Sequence, residues 1–116
     1  IRARYPDRVE FVALCDSNPK RVEVARRRIG VDCPIFTNFD EMCDRAKPEA
    51  LMITTVDSTH ADYIVRALRR GIRVITEKPM VVDEQQCRAV LDAERKAGKG
   101  ITVTFNYRYA PKHQKI

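Results

Sequence analysis

Residues 72–79 of the chain read Ile-Arg-Val-Ile-Thr-Glu-Lys-Pro. The largely apolar segment 72–76 predicts a buried strand, and a helix follows within a few residues. Parallel α/β sheets bind their ligands at the carboxyl ends of strands, so Glu77 and Lys78 stand where a ligand is expected. Pro79 lacks an N–H group and fixes its own φ angle, which stiffens the turn after Lys78. The spacing alone is equally consistent with a plain strand-to-helix loop that carries a solvated lysine.

The rest of the sequence repeats this alternation of strand and helix. Apolar runs predict further strands at residues 9–15, 34–36, 50–55 and 101–105. Amphipathic segments predict helices at about residues 19–28, 39–43, 61–68 and 83–97. Short connections between the two kinds of element specify parallel strands with right-handed crossovers. We therefore predict an α/β fold: a Rossmann-like parallel sheet with helices on both faces, in which the unbroken apolar run 50–53 is covered on both sides.

Length, charge and hydropathy limit the classes of protein to which this chain can belong. The chain has 116 residues, of which 44% are hydrophobic and 33% charged, which fits one globular domain or part of one. Its net charge of +6 includes a basic cluster at Lys20, Arg21 and residues 26–28. No aromatic residues alternate with these cations, so a solvated helix face is favoured and a nucleic-acid-binding module ranks last. No apolar run approaches the roughly 20 residues that span a bilayer, and the first residues of the given sequence show no signal-peptide pattern.

The cysteines and histidines form no metal or disulfide pattern. The four cysteines, at positions 15, 33, 43 and 87, contain no CxxC pair, and the two histidines are far apart in the sequence. We therefore predict no metal site and no disulfide framework, which fits a reducing cytoplasm.

Asp16 closes the strand 9–15. In dinucleotide-binding folds an acid at this position bonds the ribose 2′-hydroxyl and repels a 2′-phosphate, which favours NAD over NADP. A turn-forming aspartate is an equally open interpretation. Ser17 and Arg21 lie close by, and an arginine there can accept the phosphate of NADP.

The glycine loop G-x-G-x-x-G is not formed by the four glycines, which lie at positions 30, 71, 98 and 100. It and the first strand of the fold would precede Ile1. Residues 1–5 read as the last turns of a helix, so we expect a fragment. Residues 1–111 are predicted to be a partial NAD(P)-binding Rossmann domain, and residues 112–116 the start of a truncated second domain. Alone, this fragment is expected to be inactive.

A polar loop, Thr-Thr-Val-Asp-Ser-Thr-His at residues 54–60, joins another strand to its helix. Its hydroxyl groups and carboxylate are expected to face the same crevice as Lys78. For His60, packing on the sheet as a first-turn residue is favoured over a direct role in chemistry.

Four segments together resemble the glucose-fructose oxidoreductase / inositol dehydrogenase / rhizopine-catabolism (Gfo/Idh/MocA) family. They are Val-Ala-Leu-Cys-Asp at 12–16, the loop 55–60, Val-Ile-Thr-Glu-Lys-Pro-Met at 74–80 and Phe-Asn-Tyr-Arg-Tyr-Ala-Pro at 105–111. Glu-Lys-Pro is the most specific of them, and the resemblance extends from about Val9 to Pro111.

The resemblance implies an N-terminal Rossmann domain, a larger α/β domain with an open sheet, and oxidation or reduction of sugars, inositols and related polyols with NAD(P). Asp16 would meet the adenosine ribose, and residues 55–57 would line the ribose and nicotinamide. Lys78, the predicted catalytic residue, would lie beside the nicotinamide and the reacting hydroxyl group, with a cis Lys78–Pro79 bond. This chain has Val56-Asp57 where the family often has Pro-Asn, and the family's other catalytic residues, commonly an Asp and a His of the second domain, have no counterpart here.

The predicted cofactor-binding residues are Asp16, Ser17, Arg21, Thr54, Thr55, Val56, Asp57, His60, Glu77, Lys78, Pro79, Asn106 and Arg108. The expected cofactor is NAD, with NADP possible, and the expected partners are a sugar or polyol substrate and further copies of the intact chain. Two alternatives stay open: a glycosidase of the same fold that uses NAD transiently, and a non-catalytic nucleotide or sugar sensor.

Overall fold

The structure, a computed structural model, describes residues 7–110. The expectations for residues 1–5 and 112–116 lie outside this part. The chain divides into two compact units, Ile1–Pro48 and Glu49–Ile116, and each is described by itself.

The first unit is built from two strands and two helices. They are β1 (Leu14–Cys15), α1 (Pro19–Ile29), β2 (Ile35–Phe36) and α2 (Phe39–Ala46). β1 and β2 pair in parallel, with Leu14 opposite Ile35. Both helices contact both strands, and the apolar face of α1 buries Val22. The expected strand 9–15 shortens to two residues because only those two find a neighbouring strand in the described chain.

The second unit carries a three-stranded parallel sheet in the order β3-β4-β5. Its elements are β3 (Ala50–Ile53), a 3-10 turn (Asp57–Thr59), α3 (His60–Arg69), β4 (Arg73–Glu77), α4 (Glu84–Ala97), β5 (Ile101–Thr104) and a second 3-10 turn (Asn106–Tyr109). In the register, Ile53 lies opposite Thr76, and Glu77 lies opposite Thr104. The carboxyl ends of β4 and β5 therefore meet at one edge.

One face of this sheet holds the core. α3 packs against β3, β4 and α4, and Ile64 on α3 and Val74 on β4 are completely buried. On the opposite face Met52 is 54% exposed. The expectation that residues 50–53 are covered on both sides is therefore not met within this unit, because none of its described helices lies on that face.

Helix ends follow the local sequence. Asn18 caps α1 by accepting the backbone N–H groups of Lys20 and Arg21, with Pro19 at the first helical position. α4 ends at Gly98, whose φ of 61° is left-handed and therefore suits glycine. Within residues 7–110, no helix is long and apolar enough to cross a membrane.

Candidate functional site

Lys78 follows β4 directly, at the carboxyl edge of the three-stranded sheet. Its backbone N–H donates to Oε2 of Glu77 at 2.9 Å, so the Glu77 side chain folds back onto the turn. The Lys78–Pro79 peptide bond is cis, as the resemblance implies. The Lys78 side chain is exposed, and within residues 7–110 its ammonium forms no ion pair. The Lys78 ammonium can therefore bind a ligand without first breaking an ion pair with a described residue.

A cavity of about 490 Å³ lies beside this lysine. Its lining residues are Lys78, Phe105, Asn106, Tyr107 and Arg108. The last four follow β5, whose carboxyl end is next to that of β4. Two cations and no carboxylate line the cavity, so it suits a ligand that carries, or develops, negative charge.

The loop after β3 is polar and open to solvent. Thr54, Thr55 and Asp57 are exposed, and Val56 is 69% exposed. The Oγ1 atom of Thr59 lies 2.7 Å from the Val56 carbonyl oxygen and 2.8 Å from Oγ1 of Thr55, so the loop is held by its own hydroxyl groups. These residues do not line the cavity beside Lys78.

His60 differs from its neighbours in the loop because it is only 1% exposed. Nδ1 of the ring lies 2.8 Å from the carbonyl oxygen of Pro79, and Nε2 lies 3.0 Å from that of Thr55. Both ring nitrogens are thus occupied by backbone groups. Direct cofactor contact by His60 stays a prediction, and its burial favours the structural interpretation.

A second candidate position, in the first unit, is Asp16 at the end of β1. One carboxylate oxygen accepts the backbone N–H of Asn18 at 2.8 Å, and the other lies 3.5 Å from Nη1 of Arg21. Ser17 between them is exposed. The turn therefore orients the Asp16 carboxylate, and the Arg21 guanidinium lies close enough to offset part of its negative charge.

The Cys15 thiol precedes this acid. Burial raises the pKa of Cys15, and the negative charges of Asp16 and of an ionised Cys43 raise it further. Burial likewise raises the pKa of Cys33, against the opposing effect of Arg26. Both thiols are therefore poor nucleophiles at neutral pH, and they suit a packing role. Within residues 7–110, no group of three His, Cys, Asp or Glu side chains is placed to hold a metal ion.

The predicted residues thus fall at three places: the end of β1 in the first unit, and the loop after β3 and the turn beside Lys78 in the second unit. Lys78, Asn106 and Arg108 share a cavity, as their position after neighbouring strands indicates. Sequence reasoning did not assign roles to Phe105 and Tyr107 in this lining, although both belong to the segment that carries the resemblance. An alternation of aromatic and polar residues directly after a buried strand is the signal that could have found them.

Each unit, taken by itself, carries residues that suit a group of a nucleotide cofactor or its substrate. The oriented carboxylate of Asp16 suits a ribose hydroxyl group, and the cavity beside Lys78 suits a reacting hydroxyl group next to a flat ring. The glycines do not supply a pyrophosphate loop, since Gly30 and Gly98 end helices and Gly71 follows α3. Parallel strands, crossover helices and these strand-end residues define a nucleotide-binding domain of the Rossmann type.

Comparison with known proteins agrees with this class. The profile described as "Oxidoreductase family, NAD-binding Rossmann fold" (GFO_IDH_MocA) matches residues 2–105. The chain belongs to the Gfo/Idh/MocA oxidoreductase family and represents its NAD-binding Rossmann fold.

Two relatives and one solved structure illustrate the match. The chain is 41% identical over 120 aligned residues to YteT of Bacillus subtilis (strain 168), covering 100% of this chain and 28% of YteT. It is 31% identical over 102 residues to inositol 2-dehydrogenase of Salmonella typhimurium, covering 87% of this chain and 30% of that enzyme. The WlbA dehydrogenase of Bordetella pertussis, solved with NADH and UDP-GlcNAcA, superposes with a TM-score of 0.87 at 26% identity, covering 97% of this chain and 34% of that one. The chain thus spans about a third of the length of these proteins.

Proposed function

We propose that the chain is the cofactor domain of an NAD(P)-dependent oxidoreductase that acts on a sugar, an inositol or a related polyol by hydride transfer. The observation that carries this proposal is the Lys78 ammonium, which lines a cavity at the carboxyl ends of β4 and β5 without an ion pair in the described chain. The substrate class is supported by the relatives, which include inositol 2-dehydrogenases. A second domain would supply the remaining substrate contacts.

In this proposal the nicotinamide, when bound, supplies the hydride acceptor. The hydroxyl proton would pass to a base of the second domain, and the Lys78 ammonium stabilises the negative charge that builds on the substrate oxygen. Arg108 and Asn106 in the same lining orient the substrate or the nicotinamide amide. Phe105 and Tyr107 supply the aromatic part of the same lining.

The cofactor contacts predicted from the sequence are part of the same proposal. Asp16 bonds the adenosine ribose and favours NAD, while Arg21, 3.5 Å from its carboxylate, leaves NADP possible. Residues 54–57 contact the ribose and nicotinamide side. The intact protein is proposed to be a cytoplasmic homo-oligomer.

The test is turnover by the intact protein with NAD or NADP and a panel of myo-inositol, scyllo-inositol and glucose, followed by NADH absorbance. We expect NADH to accumulate with at least one of them. Release of a hydrolysed sugar from a glycoside without net NADH would identify the glycosidase instead. Tight NAD binding without turnover of any panel member or glycoside would identify a sensor.

A further inference from the structure

His60 joins the two loops that follow β3 and β4. It is the first residue of α3, and its ring spans from the carbonyl of Thr55 in one loop to the carbonyl of Pro79 in the other. The His60 side chain is only 1% exposed, so the ring itself is shielded from water, whereas Thr55 and Pro79 are exposed residues. Pro79 directly follows Lys78, and the ring therefore holds the backbone from which the ammonium extends.

Both contacts of the His60 ring are with carbonyl oxygens, which limits how the ring can bond to them. A carbonyl oxygen only accepts, so each hydrogen bond requires a proton on the ring nitrogen concerned. The contact of Nδ1 with Pro79, at 2.8 Å, is shorter than that of Nε2 with Thr55, at 3.0 Å. The contact with the Pro79 carbonyl therefore requires a proton on Nδ1, and without that donor the turn loses one of the hydrogen bonds that hold it.

Gln86 forms a second bridge between the same loops. Its Nε2 atom donates to the carbonyl of Ser58 at 3.3 Å, and its Oε1 atom accepts the backbone N–H of Val82 at 3.1 Å. Gln86 lies in the first turn of α4, which packs against α3. The loop after β3 and the turn after β4 are therefore held from two packed helices.

We propose that His60 is a positioning residue that acts through Lys78: by donating from Nδ1 to the Pro79 carbonyl, it fixes the turn that aims the ammonium. This inference rests on the proposed function, in which that ammonium stabilises charge on the substrate oxygen. A displacement of about 1 Å at a reacting group can cost about a hundredfold in rate.

Two amide substitutions separate the two contacts. The amide of Asn branches where Nδ1 does, so His60→Asn can still donate to Pro79. The amide of Gln reaches the position of Nε2, so His60→Gln retains the contact with Thr55 and loses that with Pro79.

The intact protein would be assayed with NAD and with whichever polyol of the panel it oxidises fastest. We expect His60→Gln to lower kcat at least tenfold, with KM for NAD changed less than about twofold. His60→Asn should restore most of the lost kcat.

A double-mutant cycle shows whether the effect passes through the lysine. In a Lys78→Met background, His60→Gln should reduce kcat no further, because the group it positions is gone. Equal losses in both backgrounds would overturn the positioning role while leaving the proposed function intact. A normal kcat for Lys78→Met would instead defeat the proposed role of the lysine, and the inference with it. Asp62→Ala, which removes only an exposed ion pair on α3, is the matched control and should keep full turnover.

A measurement on the unaltered intact protein covers the case in which the His60 variants fail to fold. Nitrogen-15 NMR of the His60 ring shows which nitrogen carries a proton. The proposal expects a proton on Nδ1. A ring protonated on Nε2 alone would overturn it, whether or not any panel substrate is oxidised.

Discussion

Lys78 is the residue on which the proposed chemistry depends. It is an exposed cation at a strand end, beside a cavity lined by Asn106 and Arg108 and by no carboxylate. β4 (Arg73–Glu77) ends directly before Lys78, and the fixed φ angle of Pro79 restricts the backbone that follows it. A cation fixed in this way contributes most where charge develops during the reaction.

Lys78→Met should therefore lower kcat in the intact protein by about a hundredfold, because transition-state charge stabilisation is lost. Cofactor affinity should change little, and steady-state kinetics with NAD titrations would compare the two. A variant with normal kcat and weak NAD binding would make Lys78 a binding residue only. Lys96→Met, at an exposed position on α4, is the matched control.

Asp16 is expected to set the preference for NAD. Its carboxylate is oriented by the N–H of Asn18, and replacement with Ala removes both a ribose hydrogen-bond acceptor and a charge that repels phosphate. Asp16→Ala should therefore weaken NAD binding more than NADP binding, as measured by calorimetry on the intact protein. An unchanged ratio of the two affinities would contradict the assignment. Glu41→Ala, an exposed acid on α2, should leave the ratio unchanged.

The raised pKa of Cys15 predicts a dependence of stability on pH. Burial, followed by Asp16 and Cys43, favours the protonated thiol in the folded chain. The folded pKa thus exceeds the unfolded one, so this contribution is complete below the unfolded pKa and is lost as pH rises through the folded pKa. Urea unfolding should show a decline on the alkaline side that is smaller in Cys15→Ala. An unchanged slope in the variant would show that Cys15 is not the group responsible.

At the scale of elements, helices were predicted more accurately than strands. The ends of α1 and α4 follow from caps that are local in sequence, such as Asn18 and Gly98. A strand needs a neighbour, which local sequence does not specify, and residues 9–13 find none in the described chain. The bridge from Gln86 to Ser58 spans 28 positions, so no local pattern could have revealed it.

The contribution of a helix cap to stability can be measured at Asp83, the N-cap residue of α4. Oδ1 of Asp83 accepts the N–H of Gln86 at 2.7 Å, as an N-cap side chain does. Asp83→Ala should lower the free energy of unfolding by about 1 kcal/mol. Denaturant titration would measure this, with Asp92→Ala on the exposed face of the same helix expected to cost less than about 0.5 kcal/mol. Equal costs would argue against the cap.

At the scale of the whole molecule, the described strands form two separate parallel ladders, β1-β2 and β3-β4-β5. Within residues 7–110, β3 pairs on one edge only, with β4. The other edge of β3 therefore presents unpaired backbone groups, and Met52 exposes 54% of its surface on the adjoining face. The sequence predicted strand β3 but not the exposure of Met52. An apolar run indicates that a strand is buried, but it does not specify which helix or strand covers each face.

An exposed strand edge beside an exposed apolar side chain invites pairing with another chain. We therefore expect the 116-residue chain to self-associate in a concentration-dependent way, which light scattering and sedimentation would detect. Met52→Lys places a charge beside the open edge and should shift the chain toward monomer without changing its helical circular dichroism. Val24→Lys, at an apolar position on α1 that is 42% exposed, is the matched control and should associate like the unaltered chain. Equal suppression by both substitutions would point to general charge repulsion, and a monomer at all concentrations would show that the open edge of β3 does not pair.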